Sequence, residues 1–233
     1  MVQVCYKFLS VENAFRVMEQ HELKVSIIRE LNDIYDCQPL LGPANVEPGY
    51  LCREATEKLL ATIPDTYGVL CFSKSYRSPL LWGHYAEDAK GIALGFHFNH
   101  QSLQDEFDVE YREMRPVLKW PEGTPLDQSD VKQLMKEHFG VKALEWKYEE
   151  EVRYVVSLGA CTPRNRMYFT HFFLRELREV VVGPRCSVSP AYLRHFLATH
   201  YKGIGVSLHT AQMHTEKYEI EIRPFPPNQP FVS

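Results

Sequence analysis

The chain has 233 residues, of which 45% are hydrophobic, and can therefore bury one large core. Its 26 Lys and Arg stand against 30 Asp and Glu, which excludes the global basic field that drives non-specific nucleic-acid binding. Six scattered cysteines without a CxxC pair, and no signal-peptide pattern at the start, predict a reduced cytoplasmic protein. No apolar run approaches the roughly 18 residues of a membrane span, so we expect no membrane partner.

Hydrophobic periodicity divides the chain into short strands and helices without a regular β-α alternation. Ser10 is the predicted N-cap of the first helix, and residues 31–50 form a long loop rich in Asn, Asp, Pro and Gly. The predicted strands cover residues 2–8, 23–26, 69–72, 91–96, 109–111, 117–118, 151–158, 180–182, 205–209 and 218–223, and the predicted helices cover 11–20, 51–62, 131–144 and 190–201. This order predicts a single α+β domain over 1–223, with a mixed or antiparallel central sheet and flanking helices, before an extended Pro-rich tail over 224–233.

The segment between the strands at 69–72 and 91–96 carries more hydrogen-bonding and aromatic groups than a plain connection needs, which predicts a pocket wall. These groups are Ser73, Trp82, His84, Tyr85 and Lys90. Trp82 and Tyr85 are three residues apart and share a helical face, where core packing is the alternative to ligand stacking. Ser73 is alternatively a cap at the end of its strand.

Histidines offer no pattern for a metal site. No HxxxH or HExxH occurs, and His195 and His200 are five residues apart on a predicted helix, where they do not share a face. We therefore expect no bound metal from the histidines. For His84, a structural hydrogen-bonded role and an acid or base role near neutral pH both stay open.

A second group of charged residues lies where a predicted helix ends and a strand begins. In an extended chain Glu149, Glu151 and Arg153 share one face, and the apolar residues that alternate with them from Val152 onward share the other. The charged face suits a polar ligand. An equally simple interpretation is a solvated sheet edge with a weak surface ion pair.

The chain also carries a series of short motifs: Tyr6-Lys7-Phe8, Asn32-Asp33 followed by Asp36, Cys71-Phe72-Ser73, Trp82-x-His84-Tyr85-Ala86, Lys90-Gly91, Trp146-x-Tyr148-Glu149-x-Glu151-x-Arg153 and Val182-Gly183. In this order the motifs resemble the bacterial domain-of-unknown-function family 2971 over about residues 5–185. Leu31 and Ile34 depart from the Phe and Pro that are usual in the FNDP-type loop of that family. The family resemblance by itself implies no chemistry.

The order of elements also resembles, distantly, that of the ADP-ribosyltransferases, which use NAD as a substrate. This resemblance implies that the first strand and Ser73 hold NAD, and that Glu151, with Glu149 as the rival, hydrogen-bonds the nicotinamide ribose while the glycosidic bond breaks. The usual His or Arg on the first strand is missing here. The implied catalytic residues are Glu151, Glu149 and Ser73, and the implied NAD-binding residues are Tyr6, Lys7, Asn32, Asp33, Trp82, His84, Tyr85, Lys90 and Arg153. In this interpretation Tyr85 or Trp82 stacks on a planar base of NAD, and Lys7 or Arg153 binds the pyrophosphate.

Three functions stay open at this point. The first is NAD-dependent ADP-ribosyl transfer or NAD cleavage, with a nucleotide as small-molecule partner and a protein or nucleic acid as acceptor, in a bacterial defence or toxin system. The second is nucleotide sensing or partner binding without catalysis. The third is a metal-dependent nuclease with carboxylates from Asp33, Asp36, Glu149 and Glu151. A hydrolase based on Ser73 is disfavoured because no GxSxG motif surrounds it.

Overall fold

The structure is a computed structural model and describes residues 3–38, 40–41, 57, 61, 63, 65–98, 105–118 and 136–225. Its strands are β1 (Cys5–Leu9), β2 (Glu22–Ile27), β3 (Leu40–Leu41), β4 (Tyr67–Ser73), β5 (Ile92–Phe96), β6 (Asp105–Asp108), β7 (Glu110–Arg112), β8 (Val117–Leu118), β9 (Val141–Ala143), β10 (Glu151–Ser157), β11 (Thr162–Arg164), β12 (Met167–His171), β13 (Leu177–Val182), β14 (Ser207–Met213) and β15 (Ile220–Pro224). Its α-helices with complete bounds are α1 (Val11–Gln20), α2 (Pro79–Tyr85) and α3 (Pro190–His200).

A large mixed sheet organises the molecule. It runs in the order β11-β12-β2-β4-β1-β5-β13-β14-β15, and β10 and β6 continue it from the other edge of β4. The pairs are antiparallel except for the parallel pair of β13 and β14. The predicted α+β class, with a mixed sheet in a single domain, is confirmed.

Two strands border the same edge of β4 and diverge from each other. Ser73, at the end of β4, pairs with Tyr6 of β1 on one side and with Glu151 of β10 on the other. Val69, nearer the start of β4, pairs with Ser26 of β2 instead of with β1. Among the described residues no strand pairs with the edge of β4 between these two points, and this divergence creates the space for a site.

The core lies on both faces of this sheet. All five residues of β5 are buried, as expected for a strand covered on both sides. Helix α1 covers one face with Ala14 and Met18, and it begins at Ser10, whose hydroxyl accepts a hydrogen bond from the Asn13 amide at 3.2 Å. This N-cap confirms the one predicted from the sequence.

Three predictions about secondary structure need correction or completion. The predicted helix over 131–144 is wrong at its end: residues 136–139 are helical, but Val141–Ala143 form β9. Gly140 separates the two, and a Cβ there would lie 2.4 Å from the Lys136 carbonyl oxygen. Of the helix predicted over 51–62, residues 57 and 61 are helical and the rest lie outside the described residues. The predicted tail begins one residue later than expected, since Pro224 still pairs in β15, and residues 226–233 lie outside the described residues.

The hairpin of β11 and β12 was missed. Asn165 and Arg166 form its two-residue turn, with φ of 49° and 64°. Positive φ at both positions corresponds to a type I′ turn, which is usually recognised in a sequence by Asn-Gly or Asp-Gly. The sequence Arg164–Met167 has no glycine, so the turn gives no such signal.

None of the helices in the described part of the chain has the length and apolarity needed to cross a membrane.

Candidate functional site

A cavity of about 250 Å³ lies where β1 and β2 diverge from β4. Exposed Glu30 and Asn32 lie on its outer side, while most of its charged groups are buried. The charged residues in its lining are Lys7, Glu30, Asp36, Lys142, Glu149, Glu151 and Arg153. A small cavity lined by so many ionisable side chains is suited to a polar ligand.

The cavity brings together eight of the predicted site residues. These are Tyr6, Lys7, Asn32, Ser73, Tyr85, Glu149, Glu151 and Arg153. The structure places the remaining four, Asp33, Trp82, His84 and Lys90, outside the lining. The two polar segments identified from the sequence, 73–90 and 149–153, therefore both reach the cavity, but only some of their residues line it.

Trp82 belongs to the core. Its ring packs edge-on against Phe8 with centroids 5.0 Å apart, and its Nε1 donates to the Tyr76 carbonyl oxygen at 2.8 Å. Its exposed fraction is 1%. Core packing, the alternative to ligand stacking, is therefore the role that the structure gives to Trp82.

The other three residues outside the lining have surroundings of their own. His84 is exposed, and its Nδ1 lies 2.9 Å from the Tyr148 hydroxyl. Lys90 is exposed after a turn, and Asp33 is buried with its Oδ1 accepting from the Tyr35 amide at 2.9 Å. None of the three belongs to the residues that line the cavity.

Arg153 is the centre of a buried charge network. Its Nε and Nη2 donate to the two oxygens of Glu151 at 2.8 and 2.9 Å. Nη1 and Nη2 donate to Asp36 at 2.7 and 2.5 Å, and Nη1 also donates to the Phe139 carbonyl oxygen at 2.9 Å. These five bonds use all five N–H groups of a guanidinium. The solvated-edge interpretation is wrong, and Arg153 has no donor left for a pyrophosphate.

Glu151 is held as a carboxylate by this network. Burial alone would raise the pKa of Glu151, but the charge of Arg153 outweighs burial and, with Lys142, lowers the pKa to about 2. Lys142 Nζ lies 3.3 Å from its Oε2. Both carboxylate oxygens of Glu151 are therefore committed to cations of the protein.

Glu149 has a different environment. Its Oε2 accepts from Lys142 Nζ at 2.6 Å, and its Oε1 accepts from the Tyr85 hydroxyl at 2.5 Å. Asn32 in turn donates to the Tyr85 hydroxyl at 2.7 Å. Burial is the largest influence on Glu149 and raises its pKa above the ordinary value, against the opposing effect of Lys142. Glu149 is thus fixed in position without a bidentate Arg partner.

Ser73, Tyr6 and Glu151 lie side by side across three strands, but Ser73 is occupied. Its hydroxyl donates to the Ser75 carbonyl oxygen at 2.7 Å and accepts from the Ser75 amide at 3.1 Å. This closes the turn after β4, which is the capping role considered from the sequence. The Tyr6 hydroxyl donates to Glu179 at 3.0 Å.

The Lys7 side chain makes one hydrogen bond within the described part of the chain. Its Nζ donates to the Cys71 carbonyl oxygen at 3.1 Å and lies 5.4 Å from the centre of the Phe72 ring. No carboxylate among the described residues lies within 4 Å of Nζ. Burial lowers the pKa of Lys7 below its ordinary value.

Lys142 was missed from the sequence. It lies on β9, within the segment predicted as a helix, and its Nζ also lies 4.7 Å from the centre of the Trp146 ring. Only its position between the apolar Val141 and Ala143 hinted at burial. Its exposed fraction is 5%, so it is a component of the site and not of the surface.

The chain matches none of the protein-family models, curated proteins or solved structures with which we compared it. The function must therefore be argued from the cavity itself. Within the described residues, no three His, Cys, Asp or Glu side chains are grouped so that they could hold a metal ion.

Proposed function

We propose that this cavity binds the nicotinamide-ribose end of NAD and cleaves its N-glycosidic bond, releasing nicotinamide and passing the ADP-ribosyl group to an acceptor or to water. The observation that carries the proposal is the position of Glu149, a buried carboxylate in the cavity wall that is fixed by Tyr85 at 2.5 Å and by Lys142 at 2.6 Å. The predicted resemblance to ADP-ribosyltransferases motivates the choice of NAD.

Glu149 is the better candidate than Glu151 for the reacting carboxylate. Cleavage of an N-glycosidic bond develops positive charge on the ribose, which a preorganised carboxylate stabilises. Glu151 already neutralises Arg153 through two bonds, so a substrate would have to compete with a buried guanidinium. Glu149 has one partner on each oxygen, and each carboxylate oxygen can accept a further hydrogen bond, for example from a ribose hydroxyl.

The groups around Glu149 serve this role. The carboxylate must be ionised when positive charge develops, and the Lys142 ammonium favours the ionised form. Tyr85, held by Asn32, fixes the other oxygen and lines the cavity with its partly exposed ring. We therefore assign Lys142 and Tyr85 to positioning, and stacking on the nicotinamide to Tyr85.

The size of the cavity restricts which part of NAD it takes. Pockets for drug-sized ligands have about 300–1,000 Å³. A cavity of about 250 Å³ suits nicotinamide and its ribose and not a whole dinucleotide. The adenosine half would lie beyond the rim at Glu30 and Asn32.

A second candidate is nucleotide binding without catalysis. The observation that favours it is that Ser73 and Glu151, two of the residues implied by the resemblance, are fully used in contacts within the protein. A nuclease has less support. Asp33 lies outside the lining, while Asp36, Glu149 and Glu151 are paired with Arg153 or Lys142.

The test is titration calorimetry with NAD together with mass-spectrometric detection of released nicotinamide. It uses the wild type, Glu149→Gln and the matched control Glu150→Gln, which changes the exposed neighbour. We expect nicotinamide release to fall by on the order of 100-fold or more in Glu149→Gln and to be unchanged in Glu150→Gln. Binding without release in the wild type would instead support the sensing role. Absence of binding would refute both functions.

A further inference from the structure

We propose that Lys7 is a reactive amine that forms an imine with small hydroxyaldehydes entering the cavity. The inference concerns a second activity of the site and does not depend on NAD binding. It rests on the position of Lys7, on the contacts its ammonium lacks and on the contrast with Lys142.

The backbone holds Lys7 firmly at the cavity. Strand β1 pairs with β5 along its whole length, and Lys7 lies opposite Leu94 in that ladder. The side chain reaches the unpaired edge of β4, where Nζ donates to the Cys71 carbonyl oxygen at 3.1 Å. A main-chain carbonyl occupies only one of the three donor directions of an ammonium group. Lys7 lines the cavity, and no second hydrogen bond of its Nζ is found among the described residues, so a ligand in the cavity can accept from the remaining donors.

Two lysines line the same cavity but differ in their partners. Lys142 donates to Glu149 at 2.6 Å and lies 3.3 Å from Glu151, which keeps it an ammonium ion. Lys7 has no carboxylate among the described residues within 4 Å, and burial lowers its pKa. A desolvated lysine without a carboxylate partner is the usual form of an amine nucleophile in proteins. Lys142 is therefore the structural cation and Lys7 the nucleophile.

The reaction needs no oxidant or reductant. The lone pair of the neutral Lys7 Nζ attacks the aldehyde carbon, and the carbonyl electron pair moves to the oxygen, which takes up a proton. Nitrogen loses both of its protons, and the oxygen leaves as water. An amine and an aldehyde thus give an imine and water. Glu149 and Asn32, in the same lining, can accept hydrogen bonds from hydroxyl groups, so the fitting class is a small hydroxyaldehyde, including an open-chain sugar.

The test is reductive trapping with glycolaldehyde, the smallest hydroxyaldehyde, and cyanoborohydride at pH 7, followed by peptide mass spectrometry. Lys24 is the internal control because its side chain is 46% exposed and its Nζ lies 3.3 Å from Glu30. Burial lowers the pKa of Lys7 and so raises its neutral amine fraction, and we therefore expect Lys7 to be labelled faster than Lys24. The preference should disappear when the protein is unfolded in urea.

A Lys7→Arg variant shows whether the labelled peptide is assigned correctly, since arginine forms no such imine and should remove the label at position 7. Labelling of Lys7 no faster than that of Lys24 in the folded wild type would overturn the proposal. So would a preference for Lys7 that persists in urea, because it would then come from the local sequence and not from the cavity. Neither outcome bears on nicotinamide release, so this proposal and the NAD proposal can fail separately.

Discussion

Glu151→Gln offers a quantitative test of the buried charge network. The pKa of Glu151 falls from an ordinary value of 4.5 to about 2, chiefly through Arg153 once the cost of burial is overcome. At about 1.4 kcal/mol for each unit of pKa, this corresponds to about 3 kcal/mol of folding free energy above pH 5. We therefore expect Glu151→Gln to lower the free energy of unfolding by about 3 kcal/mol at pH 6.

The same shift in the pKa of Glu151 predicts how the loss of stability in Glu151→Gln depends on pH. Because the folded pKa is depressed, the stabilisation is fully present above the unfolded value of 4.5 and is lost as pH falls from 4.5 towards 2. About 2 kcal/mol of it should disappear between pH 6 and pH 3, where Glu151 becomes protonated in the unfolded chain. The difference in the free energy of unfolding between the wild type and Glu151→Gln should therefore be about 2 kcal/mol smaller at pH 3 than at pH 6.

Urea unfolding at the two pH values measures both effects. Carboxylates that titrate alike in the two proteins cancel in the difference between them. Glu150→Gln is the matched control, since Glu150 is exposed and its substitution should change the free energy of unfolding by less than about 0.5 kcal/mol. A difference between wild type and Glu151→Gln that is the same at pH 6 and pH 3 would refute the assignment of the stabilisation to the ionised carboxylate.

Further substitutions test the packing of the fold and the contacts of Glu149. Gly183→Ala places a Cβ 2.5 Å from a backbone oxygen and should lower the free energy of unfolding by about 1–3 kcal/mol. In Gly205→Ala the new Cβ would have nothing within 4 Å, so this control should lower the free energy of unfolding by less. Thermal unfolding measures both effects. Tyr85→Phe removes one hydrogen bond to Glu149 and should reduce the rate of nicotinamide release about tenfold. Circular dichroism should show that the fold is intact. An unchanged rate would contradict the positioning role of Tyr85. Lys142→Met removes the cation that favours ionised Glu149. The acidic limb of the pH–rate profile for nicotinamide release should therefore move to higher pH. A shift of this limb to lower pH would contradict the expected effect of Lys142 on the pKa of Glu149.

The local elements could be predicted from the sequence because their signals are local. Helix α1 was predicted with its bounds and its cap, since Ser10 and the periodicity of residues 11–20 lie within a few residues of each other. The failures have equally local causes. Gly140 stops a helix whose apolar pattern continues into β9, and the type I′ turn at residues 165–166 has no glycine.

The site could be predicted only in part because its decisive contacts are long-range. Alternation along β10 placed Glu151 and Arg153 on one face, and it did not show whether that face meets water or protein. The answer comes from Asp36, which is 117 positions from Arg153 in the sequence and binds it through two oxygens. A buried guanidinium needs such partners, but the sequence does not say which carboxylate supplies them.

The two glutamates show how the same side chain acquires different chemistry from its surroundings. Glu151 meets Arg153 through two bonds, and its low pKa follows from a network that resists exchange with a ligand. Glu149 lies two residues away but faces a lysine and a tyrosine, and its burial raises its pKa. One carboxylate therefore stabilises the cavity and the other is available within it. The network of Arg153 makes this division possible, because Arg153 binds both oxygens of Glu151 while Lys142 lies between the two carboxylates.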